Sequence, residues 1–182
     1  VSHRAAAAPL LALTAMACVV PPSQAGIGPV ATAAGVGTRG TIGASSAALD
    51  PRGAEPIDLG AGYVGEAVDG RGRSHGTYLA LAGRVARWTH TSIWLGARAE
   101  VYWATSDGQP AQGGLARLGL RRHLGGVQAG TGDGSGALGM LGAAALGAYL
   151  DLGGRRLDGG GGEVFGAAGV AVELPGFAGV SR

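Results

Sequence analysis

The sequence predicts an all-β chain: a single antiparallel, up-and-down β-barrel of about eight strands, preceded by a signal peptide. Three observations lead there. Stretches of about ten residues alternate strictly between apolar and polar positions, the mark of strands with two unlike faces. Clusters of Gly, Asp, Ser and Pro separate these stretches at regular intervals, as a barrel or sandwich requires. Gly numbers 38 of 182 residues and charged residues are 14%, below the ~25% of an average soluble domain. Low charge beside 46% hydrophobic residues argues against a disordered chain, and no period of three points to a collagen helix.

The N-terminus carries His3 and Arg4, then an apolar run from Ala5 to Val20 that is too short for a membrane helix and reads as a secretory leader. Two processing patterns are present. Ser23-Gln24-Ala25 offers small-x-small cleavage, which sets the leader at 1–25 and the barrel domain at 26–182. Alternatively, Leu13 to Cys18 resembles a lipobox, with Cys18 as the lipidated first residue, although Ala15 stands where a Leu is usual. The first pattern is preferred. Cys18 is the only cysteine, so no internal disulfide can form.

Gly26 to Thr32 is read as a weak first strand or linker, and Gly35 to Ala47 as a Gly- and Thr-rich second. Ile57 to Ala67 sets Ile57, Leu59, Ala61 and Tyr63 against Asp58, Gly60, Gly62 and Glu66. Gly76 to Ala86 sets Leu79, Leu81 and Val85 against Tyr78, Ala82 and Arg84. Ser92 to Trp103 alternates most cleanly, with Ile93, Leu95, Ala97, Ala99 and Val101 opposite Ser92, Trp94, Arg98, Glu100 and Tyr102. Gly114 to His123 opposes Leu118 and Leu120 to Arg117 and Arg121. Ala137 to Leu152 is read as one strand with Leu146 and Leu150 opposite Tyr149 and Asp151; a Gly-interrupted helix is the alternative there. Val164 to Leu174 opposes Val170, Val172 and Leu174 to Phe165, Gly169 and Glu173. The connections sort into two sets. Asp50–Gly53, Thr89–Thr91 and Gly132–Ser135 fall at one end, and Asp69–Ser74, Thr105–Gln112 and Gly153–Gly162 at the other, where the longer loops are expected.

The charged residues of the strands fall on the face away from the large aliphatics. Asp58, Glu66, Glu100, Asp151 and Glu173 nearly balance Arg84, Arg98, Arg117 and Arg121. Turned inward, they would form a lumen network of Arg–carboxylate pairs, with Gly and Ala leaving them room. The network would either fix barrel register or line a narrow polar path. An eight-stranded barrel is generally filled by its own side chains, so no wide pore is expected. Tyr63, Trp88, Tyr102, Trp103 and Tyr149 lie near strand ends or late in strands and are candidates for an interfacial aromatic girdle.

Other chemistries find little footing. Ser74-His75 and His90-Thr91-Ser92 place hydroxyl beside imidazole, but without a nucleophile elbow and in polar turns, so no enzyme is expected and no catalytic residue is assigned. No Lys exists to complete a phosphate loop, no Cys/His spacing suits a metal, and no cofactor motif occurs. The Arg residues are scattered, and the net charge of +2 gives nucleic acid no patch to bind.

Leader, amphipathic strands, alternating turn sets and inward charge pairs together resemble the small outer-membrane β-barrel proteins of Gram-negative bacteria, over roughly Gly26 to Leu174. Such barrels usually finish on a terminal aromatic residue; here Phe177 stands near the end, after a strand-breaking Pro175. The resemblance implies a monomer in outer-membrane lipid, with a structural, adhesive or narrow-transport role toward small solutes or ions. The alternative is a soluble or lipid-anchored periplasmic barrel that binds a small apolar ligand, with its faces reversed.

Overall fold

The computed structural model describes residues 17–20, 23–49, 55–103, 108–124, 137–141, 144–174 and 176–180. The expected leader up to residue 16, the expected turns 50–53 and 132–135 and the first part of the expected 105–112 connection lie outside them. The described strands are β1 (Ala17–Val20), β2 (Ser23–Ala31), β3 (Val36–Ser45), β4 (Ile57–Val68), β5 (Gly72–Arg87), β6 (Thr91–Tyr102), β7 (Pro110–His123), β8 (Ala137–Leu141), β9 (Ala145–Leu157), β10 (Gly162–Leu174) and β11 (Gly176–Val180).

Eight of these strands close into one antiparallel barrel, in the order β10-β2-β3-β4-β5-β6-β7-β9. Each pairs with its sequence neighbour within the ring, so the topology is up-and-down, and β2 against β10 forms the seam. Closure leaves no free edge within the ring, which is what lets so many Gly-rich strands hold their register. The seam ladder omits Gly28 and Pro29; proline has no amide hydrogen to give there. Two bulges mark β5 at Arg84/Ala86 and β7 at Pro110/Gln112. β1, β11 and β8 pair as a separate three-stranded sheet, with Cys18 opposite Gly179.

Most strands run longer than the sequence suggested. The expected stretch Ala137 to Leu152 is divided between β8 and β9, and β9 continues to Leu157. Ser74 belongs to β5 and Gln112 to β7. The connections Asp69–Arg71 and Asp158–Gly161 are therefore tight turns, because Gly70 (φ 78°) and Gly159 (φ 81°) adopt the left-handed backbone that L side chains rarely accept. Of the expected connections, Thr89–Thr91 lies at the opposite end of the barrel from the Asp69–Arg71 and Asp158–Gly161 turns. The longer links are not where the sequence reading expected them: at what is here termed the turn end the barrel strands are joined by 32–35, 69–71, 103–109 and 158–161, and the longest links, 46–56 and 124–144, fall at the other, the linker end, beside the short 88–90 turn. β2 begins at Ser23, so the cleavage point expected after Ala25 falls within a strand paired on both sides.

Alternation sorts the side chains by face. Large aliphatics project outward; Leu79 is 69% and Val164 70% exposed. Most strand charges, and the rings of Tyr78, Trp94, Tyr102, Tyr149 and Phe165, project inward and are buried. Among the described strand residues, outward charges occur near the rims only: Arg73 on β5, Arg122 near the end of β7 and Arg156 near the end of β9; the exposed Arg87, past the β5 bulge, pairs with the inward Ser92. Arg122 thus departs from the expectation that strand charges share one face.

Candidate functional site: the barrel interior

The interior divides along the axis into three zones. At the turn end, Arg39 on β3 stands opposite Glu66 on β4, and Arg155 on β9 opposite Glu163 on β10. Cross-strand partners on one face meet directly, so the register itself makes these pairs. Arg39 Nη1 lies 3.1 Å from Glu66 Oε2, and Nη2 contacts Glu100. Arg155 bridges Glu66 and Glu163, its Nε 2.6 Å from Glu163 Oε1. Arg71, in the β4–β5 turn, reaches across to Glu163 with Nη2 2.8 Å from Oε2. Tyr102 donates its hydroxyl hydrogen to Glu100 Oε2 at 2.8 Å while accepting from Arg39 Nη1 at 3.0 Å. Three guanidiniums and three carboxylates are thus chained together, each carboxylate shared or multiply bonded. The guanidinium carbons of Arg39 and Arg155 both lie over the Phe165 ring, 5.2 and 4.8 Å from its centre. Val30, Val68, Leu115 and Ala167 pack with it into an apolar layer.

In the middle zone, Arg117 grips Asp151 with two parallel bonds, Nε to Oδ1 at 2.6 Å and Nη2 to Oδ2 at 2.7 Å. The fork geometry of guanidinium suits a carboxylate in this way. Its guanidinium also lies 4.1 Å from the Tyr149 ring centre. Arg98 stacks at 3.9 Å over Tyr78. Its nearest carboxylate oxygen, on Glu100, is 4.0 Å away. Two inward glycines make room for the tyrosines: a Cβ at Gly43 would stand 2.6 Å from the Tyr78 hydroxyl, and one at Gly169 2.5 Å from that of Tyr149.

At the linker end, Arg121 Nη2 is shared by Asp58 and Glu173, at 2.7 Å each. Gln24 Nε2 donates to Glu173 Oε1 at 3.0 Å. Asp58 Oδ1 accepts from Ser45 Oγ at 2.8 Å and from the Ala47 amide at 3.0 Å. The Trp94 ring lies 4.5 Å from Arg121 and 5.9 Å from Arg84. A cavity of about 70 Å³ extends from this cluster to Arg98 and Arg117, walled by Gly60, Ala80, Gly96, Gly119 and Gly147 among others.

The chain matches no protein-family model, no curated protein and no solved structure. Its own geometry is therefore the ground for any functional reading.

Of the residues that the sequence singled out, Asp58, Glu66, Arg98, Glu100, Arg121, Asp151 and Glu173 are buried inside the barrel, and Arg117 is partly so. Arg84 lies just before the β5 bulge, over Trp94. Cys18 lies in β1, which pairs with β11 and not with a barrel strand. The sequence reading missed Arg39, Arg71, Arg155 and Glu163, which make most of the turn-end cluster. Arg39 shares parity with Gly37, Thr41 and Ser45, opposite Val36, Ile42 and Ala44, so its face was readable. Arg155 continues the period of Tyr149 and Asp151 past Leu152.

The aromatic girdle needs correcting. Tyr102 and Tyr149 are buried within the lumen, because they share parity with the charged residues. Tyr63, Trp88 and Trp103 are exposed. Tyr63 contacts His75 Nδ1 through its hydroxyl, and its ring lies 6.3 Å from that of Trp103, on the outer wall. Ser74 and His75 project to opposite faces, Ser74 buried and His75 exposed, as neighbours in a strand must. Ser92 accepts the Trp94 indole hydrogen at 2.7 Å instead of facing His90.

Proposed function

We propose that this protein is an integral outer-membrane β-barrel whose role is structural or adhesive, its lumen filled by an Arg–carboxylate network in place of an open channel. One observation carries the reading. Among the described residues the outer wall between the rims is mostly aliphatic and holds no Asp, Glu or Arg, while the charged residues of the strand interiors point inward. Water outside would make that wall costly: contiguous apolar patches on soluble monomers seldom exceed a few hundred Å². Lipid outside removes the cost, and the backbone of a closed ring has no unsatisfied edge to expose to it.

The filled interior supports the structural side of the reading. The turn end is closed by buried side chains, and the described cavity of about 70 Å³ does not run through to it. Solutes larger than a few water molecules have no path along this route. A soluble barrel for a small apolar ligand finds no support in a cavity lined by Arg98, Arg117, Arg121, Asp58 and Glu173.

Gel mobility of the membrane fraction, with and without boiling, tests the reading. A band that only detergent extracts and that shifts on heating is expected. Recovery in a detergent-free soluble fraction, without a heat shift, refutes it. Leu79→Arg and Leu95→Arg extend the test. Facing lipid near mid-wall, each should cost about 2–4 kcal/mol. Facing water, each would change stability by less than about 0.5 kcal/mol.

A further inference from the structure

One arc of the outer wall, near the turn end of β4, β5 and β6, carries polar and aromatic side chains in contact. The register sets Arg73 opposite Ala67 and His75 opposite Gly65, on one outward line of β5. Tyr63 leans along β4 over Gly65, where a Cβ would stand 3.3 Å from its ring. Its hydroxyl meets His75 Nδ1, and its ring stacks on the imidazole at 5.9 Å between centres. Trp103 completes the group, 6.3 Å from Tyr63, with its amide bonded to the His75 carbonyl at 2.8 Å. All four side chains are exposed. Tyr63 occupies only Nδ1 of the imidazole, so Nε2 is left for another partner. Arg73 makes no ion pair with a described carboxylate, although Asp69 stands in the turn beyond it.

Toward the linker end, on the same three strands, the wall sinks into an apolar trough of about 880 Å³. Leu59, Leu79 and Leu81 stand out along it, and the small side chains of Ala61, Ala97 and Ala99 keep it low. The two features are continuous. Tyr63, Thr77 and Val101 pair across the strands, and Ala61, Leu79 and Ala99 form the next outward row. A cation with open donors at one end, and an aliphatic trough running on from it, match the head and tail of one amphiphile.

We propose that this arc seats one anionic phospholipid, its phosphodiester on Arg73 and His75 and an acyl chain in the trough. The inference rests on the membrane reading above. A guanidinium takes phosphate oxygens in pairs, and indole and phenol rings favour the depth where chains give way to headgroups. A second copy of the chain is the poorer occupant. Two barrels in one membrane have their turn ends on the same side. A two-fold contact over this arc would bring both Arg73 side chains to one depth, with no outward carboxylate on the described strands to pair them.

The test uses the full chain with Trp88→Phe, which leaves Trp103 and the buried Trp94 as its indoles. It is reconstituted in phosphatidylcholine vesicles that hold acyl-brominated phosphatidylglycerol or, at the same fraction, acyl-brominated phosphatidylcholine. Bromine quenches a neighbouring indole. Phosphatidylglycerol should occupy the site about fivefold more than phosphatidylcholine does, the preference that one arginine gives toward an anionic lipid. Arg73→Gln should remove the preference, and Ala99→Leu, which fills the trough from the outer face, should weaken it. An inserted barrel whose Trp103 is quenched equally by the two lipids overturns this inference alone. So does a preference that survives either variant unchanged. A chain that stays out of the vesicles, with no heat-shifted band, overturns the membrane reading and this inference with it.

Discussion

The two ends of the lumen use the same chemistry at different depths from water. At the turn end the Arg39 and Arg155 side chains are 0% exposed, and their carboxylate partners Glu66 and Glu100 are almost equally hidden. At the linker end Arg121 and Asp58 retain 10% of their side-chain surface. In mid-barrel Arg117 retains 17%. The turn end is also roofed by Phe165, Val30, Val68 and Leu115, and no comparable apolar cluster covers the linker end among the described residues. An ion pair in a dry interior is strongly coupled and depends on every partner. One that water reaches contributes less and is partly screened. The turn end is therefore a rigid stopper, and the linker end a vestibule.

The largest effect should come from breaking the stopper. Glu66 neutralises two buried guanidiniums, so Glu66→Ala should cost about 3–5 kcal/mol in urea unfolding of the refolded barrel. If the loss is no greater than at the linker end, the two regions are alike and the comparison fails. Next comes the middle zone. Gly169→Ala drives a Cβ into the Tyr149 ring and the Ile27 carbonyl, and should cost about 1–3 kcal/mol by the same measurement. A smaller change is expected in the vestibule. Asp58→Asn keeps an oxygen for Ser45 and loses only a partly hydrated charge pair, at about 1 kcal/mol. The smallest effect separates the ends by salt alone. Moving from low salt to 0.5 M should erase a few tenths of a kcal/mol of the Asp58–Arg121 coupling, and leave the Glu66–Arg39 coupling unchanged in double-mutant cycles.

The barrel was legible because period-two alternation survives any amount of glycine. Ser92 to Trp103 alone declares which side chains share a face. The linker-end and middle residues were legible for the same reason, since they sit inside strands with bulky aliphatic neighbours to set the phase. The stopper was legible only in part, at Glu66 and Glu100. Arg39 lies among Gly and Thr residues that give a weak phase, and Arg155 and Glu163 flank a glycine run that reads as a loop. What fixes them is the tight Asp158–Gly161 turn, which extends both strands and brings Arg155 opposite Glu163. Turn geometry is written in backbone angles more than in residue type, so strand length was underestimated where glycine was densest. Face and parity were also weighed too little for the tyrosines. Tyr102 alternates with Val101 and Trp103, and that alone places it inside.

The seam between β2 and β10 bears on how the molecule comes into being. Gln24 and Glu173, hydrogen-bonded across it, are 149 positions apart in the chain. Ring closure must therefore wait until the final barrel strand exists, and the entropic toll of joining such distant segments makes it a slow event. Until then β2 has only β3 beside it, and every newly added strand presents a raw edge to whatever is near. The completed ring is the first species that is safe from pairing with a stranger.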